Sequence, residues 1–312
     1  MRVAYSAPGR CGIIGNPSDI YGGKVLSCSL PLRNYCEIRS EVPREVPDGA
    51  LWAALDKRFP EMATANVAVR LRSEVPRSSG LAGSTAMLAA MVACVRDFLS
   101  LVHLETREFA ELVRDIERND AGVMCGYQDA YMVTHGGLQL MDFTGKHPVN
   151  PGPVAQMLGV NAPLPFLLVT TGVERLSGSV HGPMSERWLA GEEKVVQGIE
   201  RISALTEPAL HALISGDHAR LAAAMQENQA IIAELGGSGP QIDALIETCL
   251  SFGAPAAKLA GAGMGGTVIV LTEDPSALKR RLQERGFTQF TSPLIAPGIQ
   301  PEREIDSTAI AG

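Results

Sequence analysis

Apolar and polar positions along this chain fall into two rhythms, one with a period of two and one with a period near 3.6. The first forty residues read as strands and turns: a Pro8–Gly9 turn, an apolar run Cys11–Ile14, a loop rich in Gly, Asn, Pro and Asp, then a strand over Val25–Leu32. Val67–Leu71 is a second short strand by the same signs, and Pro76–Gly83 is a loop. From Ser84 to Leu101 the residues are apolar nearly all round, which predicts a buried helix. Arg107–Glu117 has one apolar face and predicts an amphipathic helix. Gln139–Phe143 follows the Gly136–Gly137 turn as a short strand.

Five prolines crowd the stretch 147–165 (Pro148, Pro151, Pro153, Pro163, Pro165), so the chain is expected to divide into units 1–150 and 151–312. Beyond them, Phe166–Thr170 reads as a strand. Glu192–Ile214 and Asp217–Leu235 read as helices, with Pro208 breaking or kinking the first. Gln241–Phe252 is a helix closed by Gly253, Thr267–Leu271 a buried strand and Pro275–Gly286 a helix. There is no internal repeat and no low-complexity run. Strands mixed with helices and antiparallel-type turns fit an α+β class better than a parallel βαβ series.

With 312 residues and 46% apolar content, the chain can bury a sizeable core in one large domain or two closely packed ones. The formal net charge is -7, which argues against a nucleic-acid partner held by a broad basic surface. A local basic pocket for a small phosphate remains compatible with it. The N-terminus MRVAYSAPGR has no apolar run of signal length, and stretches such as Met87–Val95 are too short to span a bilayer. The expectation is therefore a cytoplasmic chain with no membrane partner. The six cysteines are scattered, without a CxxC pair or nearby histidines, so they read as buried thiols rather than zinc ligands. His181 reads as structural.

Three loops carry the candidate chemistry. Pro76, Arg77, Ser78, Ser79, Gly80, Leu81, Ala82, Gly83, Ser84, Thr85 and Ala86 run straight into a helix. Gly80 and Gly83 permit close backbone approach, and the helix start offers free N–H groups and hydroxyls to an anion. It lacks the GKS/GKT ending of a Walker A loop; an ordinary capped core helix is the alternative. The loop from Ala7 to Lys24 carries Arg10 and Asp19 and closes on Gly22–Gly23. Asp19 is placed to accept from substrate hydroxyls or to make an Asx turn with its own backbone. From Lys258 to Val270, the third loop packs Gly261, Gly263, Gly265 and Gly266 before a strand. So many glycines are costly in chain entropy unless the backbone must approach a ligand or the phosphate loop closely; a tight connection into the strand is the alternative.

In this order the three loops resemble the GHMP kinases. The Pro-Gly-Arg turn with its Asp and Gly-Gly matches the first family motif, Pro-x-x-x-Gly-Leu-(Ala)-Gly-Ser-Thr-Ala the second, and Lys-x-x-Gly-x-Gly-x-Gly-Gly the third. Within the family, the motifs look closest to those of the glucuronokinases, and the likeness spans residues 4 to about 272. Ala82 departs from the common Gly-Leu-Gly-Ser-Ser form, so the magnesium-ligand role falls on Thr85 or, one position away, on Ser84.

The resemblance implies an N-terminal domain like ribosomal protein S5 domain 2, a ferredoxin-like C-terminal domain, and a site between them that uses ATP and Mg2+ to phosphorylate a sugar or sugar acid. The 76–86 loop would hold the ATP phosphates. Asp129, in a Gly-x-Gln-Asp segment, would be the base and Arg10 its cationic partner. Thr85 and Glu117, with Asp120 as a competitor, would bind magnesium. Asp19, Tyr21, Lys24, Gly263 and Gly265 would line the substrate side, and Arg77, Lys24 or Arg33 would meet a uronate carboxylate. Family members are monomers or homodimers.

Overall fold

The computed structural model describes residues 1–40, 42–172, 178–261, 266–293 and 295–303. The chain opens with β1 (Arg2–Ile14) and β2 (Lys24–Ser40), joined through a short helical turn, Ser18–Tyr21. Then come α1 (Ala50–Arg58), α2 (Pro60–Thr64), β3 (Val67–Ser73), α3 (Gly83–Phe98), α4 (Thr106–Asp115), α5 (Gln128–His135), β4 (Leu138–Asp142) and β5 (Gln156–Val160). After β6 (Phe166–Thr170) follow α6 (Gly178–Leu189), α7 (Glu193–Ala204), α8 (Thr206–Ser215), α9 (His218–Glu234) and α10 (Pro240–Ser251). The last described elements are β7 (Ala256–Leu259), β8 (Thr267–Leu271), α11 (Pro275–Gln283), β9 (Phe290–Thr291) and β10 (Gln300–Pro301).

These strands form a six-stranded antiparallel sheet in the order β10-β1-β2-β4-β5, with β3 also on β2, and a four-stranded one in the order β7-β8-β6-β9. In the second sheet, the first strand in sequence lies between the third and the fourth. With helices filling the first and last connections, this is the βαββαβ arrangement expected of a ferredoxin-like unit. The α+β class stands.

Three of the four buried apolar clusters join the sheets and helices around the site. Leu88, Met91, Val92 and Val95 of α3 pack on Ile38 and Val67 of the first sheet and on Trp52 of α1. Ile199, Ile231, Leu245 and Leu278 cover one face of the second sheet. Between the sheets, Cys11, Ile13 and Leu30 meet Leu168, Ile269, Leu213 and Met225, so the two halves share a continuous apolar seam. Sharing a core this way fixes β1, and whatever it carries, against the second half.

The break expected from Pro208 within Glu192–Ile214 is present: α7 stops at Ala204 and α8 begins at Thr206. Pro208 sits in the first turn of α8, where its missing N–H costs little, and its ring would clash with the Ala204 carbonyl of a continuous helix. The first sheet runs on to Val160 and takes β10 back from the far end of the chain, whereas the proline-based division falls at 150/151. Among the described residues, no helix is long and apolar enough to cross a membrane.

Candidate active site

The 76–86 segment enters α3 with Ala82 in the left-handed region, at φ 60°, and no side chain caps the helix start. The first-turn N–H groups are thus left to whatever occupies the cleft in front of them. That cleft is about 470 Å³ and is lined by residues of the phosphate loop (Ser78, Ser79, Gly80, Gly83, Ser84, Thr85), by Arg10, Asn16 and Asp19 from the first loop, and by Glu117, Cys125, Gln128 and Asp129. Four of the six charged residues expected at the site (Arg10, Asp19, Glu117, Asp129) therefore converge there; Lys24 and Arg77 do not.

Arg10 is buried on β1, and its guanidinium does two things at once. Nε and Nη2 donate to Asp129 Oδ1 at 2.7 and 2.5 Å, and Nη1 donates to the Gly80 carbonyl at 2.6 Å. The Arg10 N–H also donates to the Leu81 carbonyl at 3.0 Å. One strand residue thereby locks the phosphate loop to the start of α5. Asp129 remains 26% exposed in the cleft wall, and both bonds from Arg10 fall on a single oxygen.

Opposite this pair, the Thr85 hydroxyl donates to both carboxylate oxygens of Glu117, at 3.0 and 2.9 Å. The predicted helix ending at Glu117 instead stops at Asp115, and a π-helical turn spans Ile116–Asp120. The wider turn places Glu117 inside, only 2% exposed. Asp120, its competitor, points elsewhere and pairs with Lys57 and Arg58 of α1. Burial pushes the Glu117 carboxyl up to about 7; the Asp129 charge adds to this, while the Thr85 and Ser84 hydroxyls and the Cys125 thiol oppose it. Two oxygen ligands on a carboxyl that resists ionising alone suit a hard dication that takes its other ligands from phosphates and water. No cluster of three or more acidic, His or Cys side chains with metal-holding geometry occurs among the described residues.

Asp19 is buried, and its Oδ2 accepts from the Tyr127 and Gln128 N–H groups at 2.6 and 2.9 Å. A side chain at 126 would put its Cβ 2.1 Å from that oxygen, so Gly126 is required. The Tyr127 ring is held between the Arg114 guanidinium at 4.1 Å and the Lys146 ammonium at 4.0 Å. None of these supports is visible in the sequence except as a glycine before an aromatic residue.

The described part of the third loop presses on the phosphate loop, and its Gly261 also lines the cleft. A Cβ at Gly261 would lie 2.5 Å from the Gly80 oxygen, and one at Gly266, where φ is +95°, would lie 2.3 Å from the Ser79 oxygen. Thr267 Oγ1 donates to the same Ser79 carbonyl at 3.0 Å. Gly263 and Gly265 lie outside the described residues, as does the His181 side chain.

Lys258, at the head of this loop, is fully buried, and burial pushes its ammonium down to about 7, with Cys11 opposing and Arg10 adding to the shift.

Tyr21 and Lys24, expected on the substrate side, line a different depression beside α7 and α8. Lys24 pairs there with Glu207 and Asp142, and Tyr21 packs on Trp188. Gly22, at φ 77°, turns the chain away between Asp19 and Lys24. Arg33 is spent on Ser6 and on the carbonyls of Pro297 and Gly298. Arg77 lines a cavity of about 740 Å³ on the other side of the phosphate loop. Among the described residues of the cleft, Arg10 is the only cation.

Comparison with known proteins identifies the family. Residues 48–137 match the GHMP kinases N terminal domain, and residues 209–287 match GHMP kinases C terminal. The chain is 27% identical to Glucuronokinase 1 of Arabidopsis thaliana over 98% of its own length and 95% of that protein. It is 30% identical to a mevalonate kinase of Aeropyrum pernix over 75% of its length and 70% of the relative. The crystal structure of Lactococcus lactis galactokinase complexed with galactose superposes with a TM-score of 0.76 at 18% identity, covering 96% of this chain and 95% of that one. With both family domains present in order and the motif residues meeting in one cleft, the chain belongs to the GHMP kinase family.

Proposed function

We propose that this protein transfers the γ-phosphate of ATP to a sugar hydroxyl, namely the C1 hydroxyl of a uronic acid such as D-glucuronate. The observation that carries the reading is the meeting of Arg10–Asp129 and Thr85–Glu117 in one cleft beneath an uncapped helix start. The ATP phosphates rest on the 76–86 segment, and the nucleoside end extends into the cavity beside Arg77. Thr85 and Glu117 would hold Mg2+, which neutralises phosphate charge when bound. Asp129 orients the acceptor hydroxyl and takes its proton as the new oxygen–phosphorus bond forms and the bond to ADP breaks. Arg10 holds Asp129 in place and offers positive charge to the transferring group. Asp19 accepts hydrogen bonds from the sugar hydroxyls. Similarity over nearly the whole chain to a plant glucuronokinase supports the uronic acid.

A second reading, a neutral sugar such as galactose, is favoured by one observation: the described lining of the cleft has no cation besides Arg10, which is committed to Asp129. A coupled assay of ADP release, run with D-glucuronate, D-galacturonate, D-galactose, a heptose 7-phosphate, mevalonate and homoserine, separates the two. The expected result is a kcat/KM for D-glucuronate at least about tenfold above that for galactose, a difference of roughly 1.4 kcal/mol. Preference for galactose would select the second reading. Turnover of mevalonate or homoserine alone would remove Asp19 from sugar binding, and ATP binding without any transfer would mark a non-catalytic member.

A further inference from the structure

Lys258 belongs to the second half of the chain, yet its ammonium ends at the first loop. It donates to Asn16 Oδ1 at 2.9 Å and to the Leu259 carbonyl at 2.6 Å, and no carboxylate pairs with it among the described residues. Such a group is costly to bury, and an apolar side chain of similar length would serve the core better. Stability alone does not explain it.

What it touches lies in the cleft wall. Asn16 Nδ2 donates to the Gly261 carbonyl at 2.7 Å, and both residues line the cleft. The Gly15 N–H donates to Asn228 of α9 at 3.1 Å, which steadies the same turn from behind. Asp19 follows three residues after Asn16. Among the described residues, the Asn16 amide ties the turn that delivers Asp19 to the third loop, next to the bond from the Gly12 N–H to the Ala260 carbonyl at 2.8 Å, and Lys258 fixes that amide from below.

We infer that Lys258 is a positioning residue for the acceptor side of the cleft: through Asn16 it sets the turn carrying Asp19 against Gly261. Its loss loosens acceptor binding and leaves nucleotide binding in place. This rests on the reading of Asp19 as the residue that holds the acceptor. The two ideas are separable, because the turn's order is measurable without any acceptor.

The test compares the full-length protein with Lys258→Met, Asn16→Ala and the double variant. In Lys258→Met, hydrogen exchange of the turn around Asn16–Asp19 should rise on the order of tenfold, with exchange in α3 unchanged. With whichever sugar the unaltered protein phosphorylates, the acceptor KM should rise about tenfold while the KM for ATP stays within about twofold. The double variant should be no worse than the more affected single one, since both remove one contact. Exchange rising evenly through the second half, acceptor and ATP KM rising together, or multiplicative losses in the double variant would each overturn the inference. If Lys258→Met does not fold, Asn16→Ala must show the same local exchange and the same split of KM values, and its failure to do so is equally decisive. If no sugar is phosphorylated, the functional reading fails while the exchange comparison still decides on Lys258.

Discussion

At the scale of single residues, burial works against the charged forms of Glu117, in the cleft wall, and of Lys258, behind it. Lys258 is the clearer case because its expected pH signature is simple. Its ammonium is held down to about 7 in the folded protein and returns to its ordinary value near 10.5 on unfolding. Between those values the unfolded chain binds more protons, so stability rises with pH. The contribution is complete above about 10.5 and is lost as pH falls through about 7. Subtracting the urea-unfolding free energy of Lys258→Met removes the opposing slope of Glu117, which is common to both proteins. The difference should grow by about 2 kcal/mol in favour of the unaltered protein from pH 7 to pH 9. A difference that stays flat over that range would show that the lysine keeps its ordinary protonation when folded.

Among the elements, the decisive contact is that of the third loop with the phosphate loop. Gly266→Ala places a methyl 2.3 Å from the Ser79 oxygen at a φ of +95°, so it should cost on the order of 2 kcal/mol and raise the KM for ATP. Urea unfolding and ATP titration check both effects; a neutral outcome would mean that the two loops are not pressed together. The glycine run itself was legible in the sequence, as was β8, whose bounds Thr267–Leu271 coincide with the predicted strand. So was α3, because a run of Ala, Met, Leu and Val carries its own burial. Harder to read were features set by distant partners. The π-helical turn at Glu117 has no local signature, and α5 is too short and mixed for its period to stand out. Tyr21 and Lys24 are neighbours of Asp19 in sequence but not in space, and Lys24 is drawn off by Glu207 from α8. The bond from Lys258 to Asn16 joins residues 242 positions apart, beyond the reach of any local pattern.

For the molecule as a whole, the shared apolar seam between the two sheets fixes β1 against the second half, and the cleft lies where the loops of both halves meet. A ligand that bridges these loops should therefore stabilise the entire fold. A non-hydrolysable ATP analogue with magnesium, at a hundredfold excess over its Kd, should add about 2.7 kcal/mol by mass action. Chelating the magnesium should remove part of that gain. Glu117→Gln should lose the magnesium-dependent part while keeping the rest, a comparison read directly from thermal melts. No shift of Tm with saturating nucleotide would place the nucleotide elsewhere or nowhere.

The most direct trial of the mechanism is Asp129→Asn, with kcat and nucleotide Kd determined on the same preparation. The amide oxygen can still accept from Arg10, so the phosphate loop should stay anchored and the Kd should remain within about twofold. Turnover should fall by about 10²–10⁴-fold, the loss typical of removing a positioned base. Near-normal turnover would remove Asp129 from the chemistry, and a loss of nucleotide affinity matching the loss of kcat would reduce it to a prop for the loop.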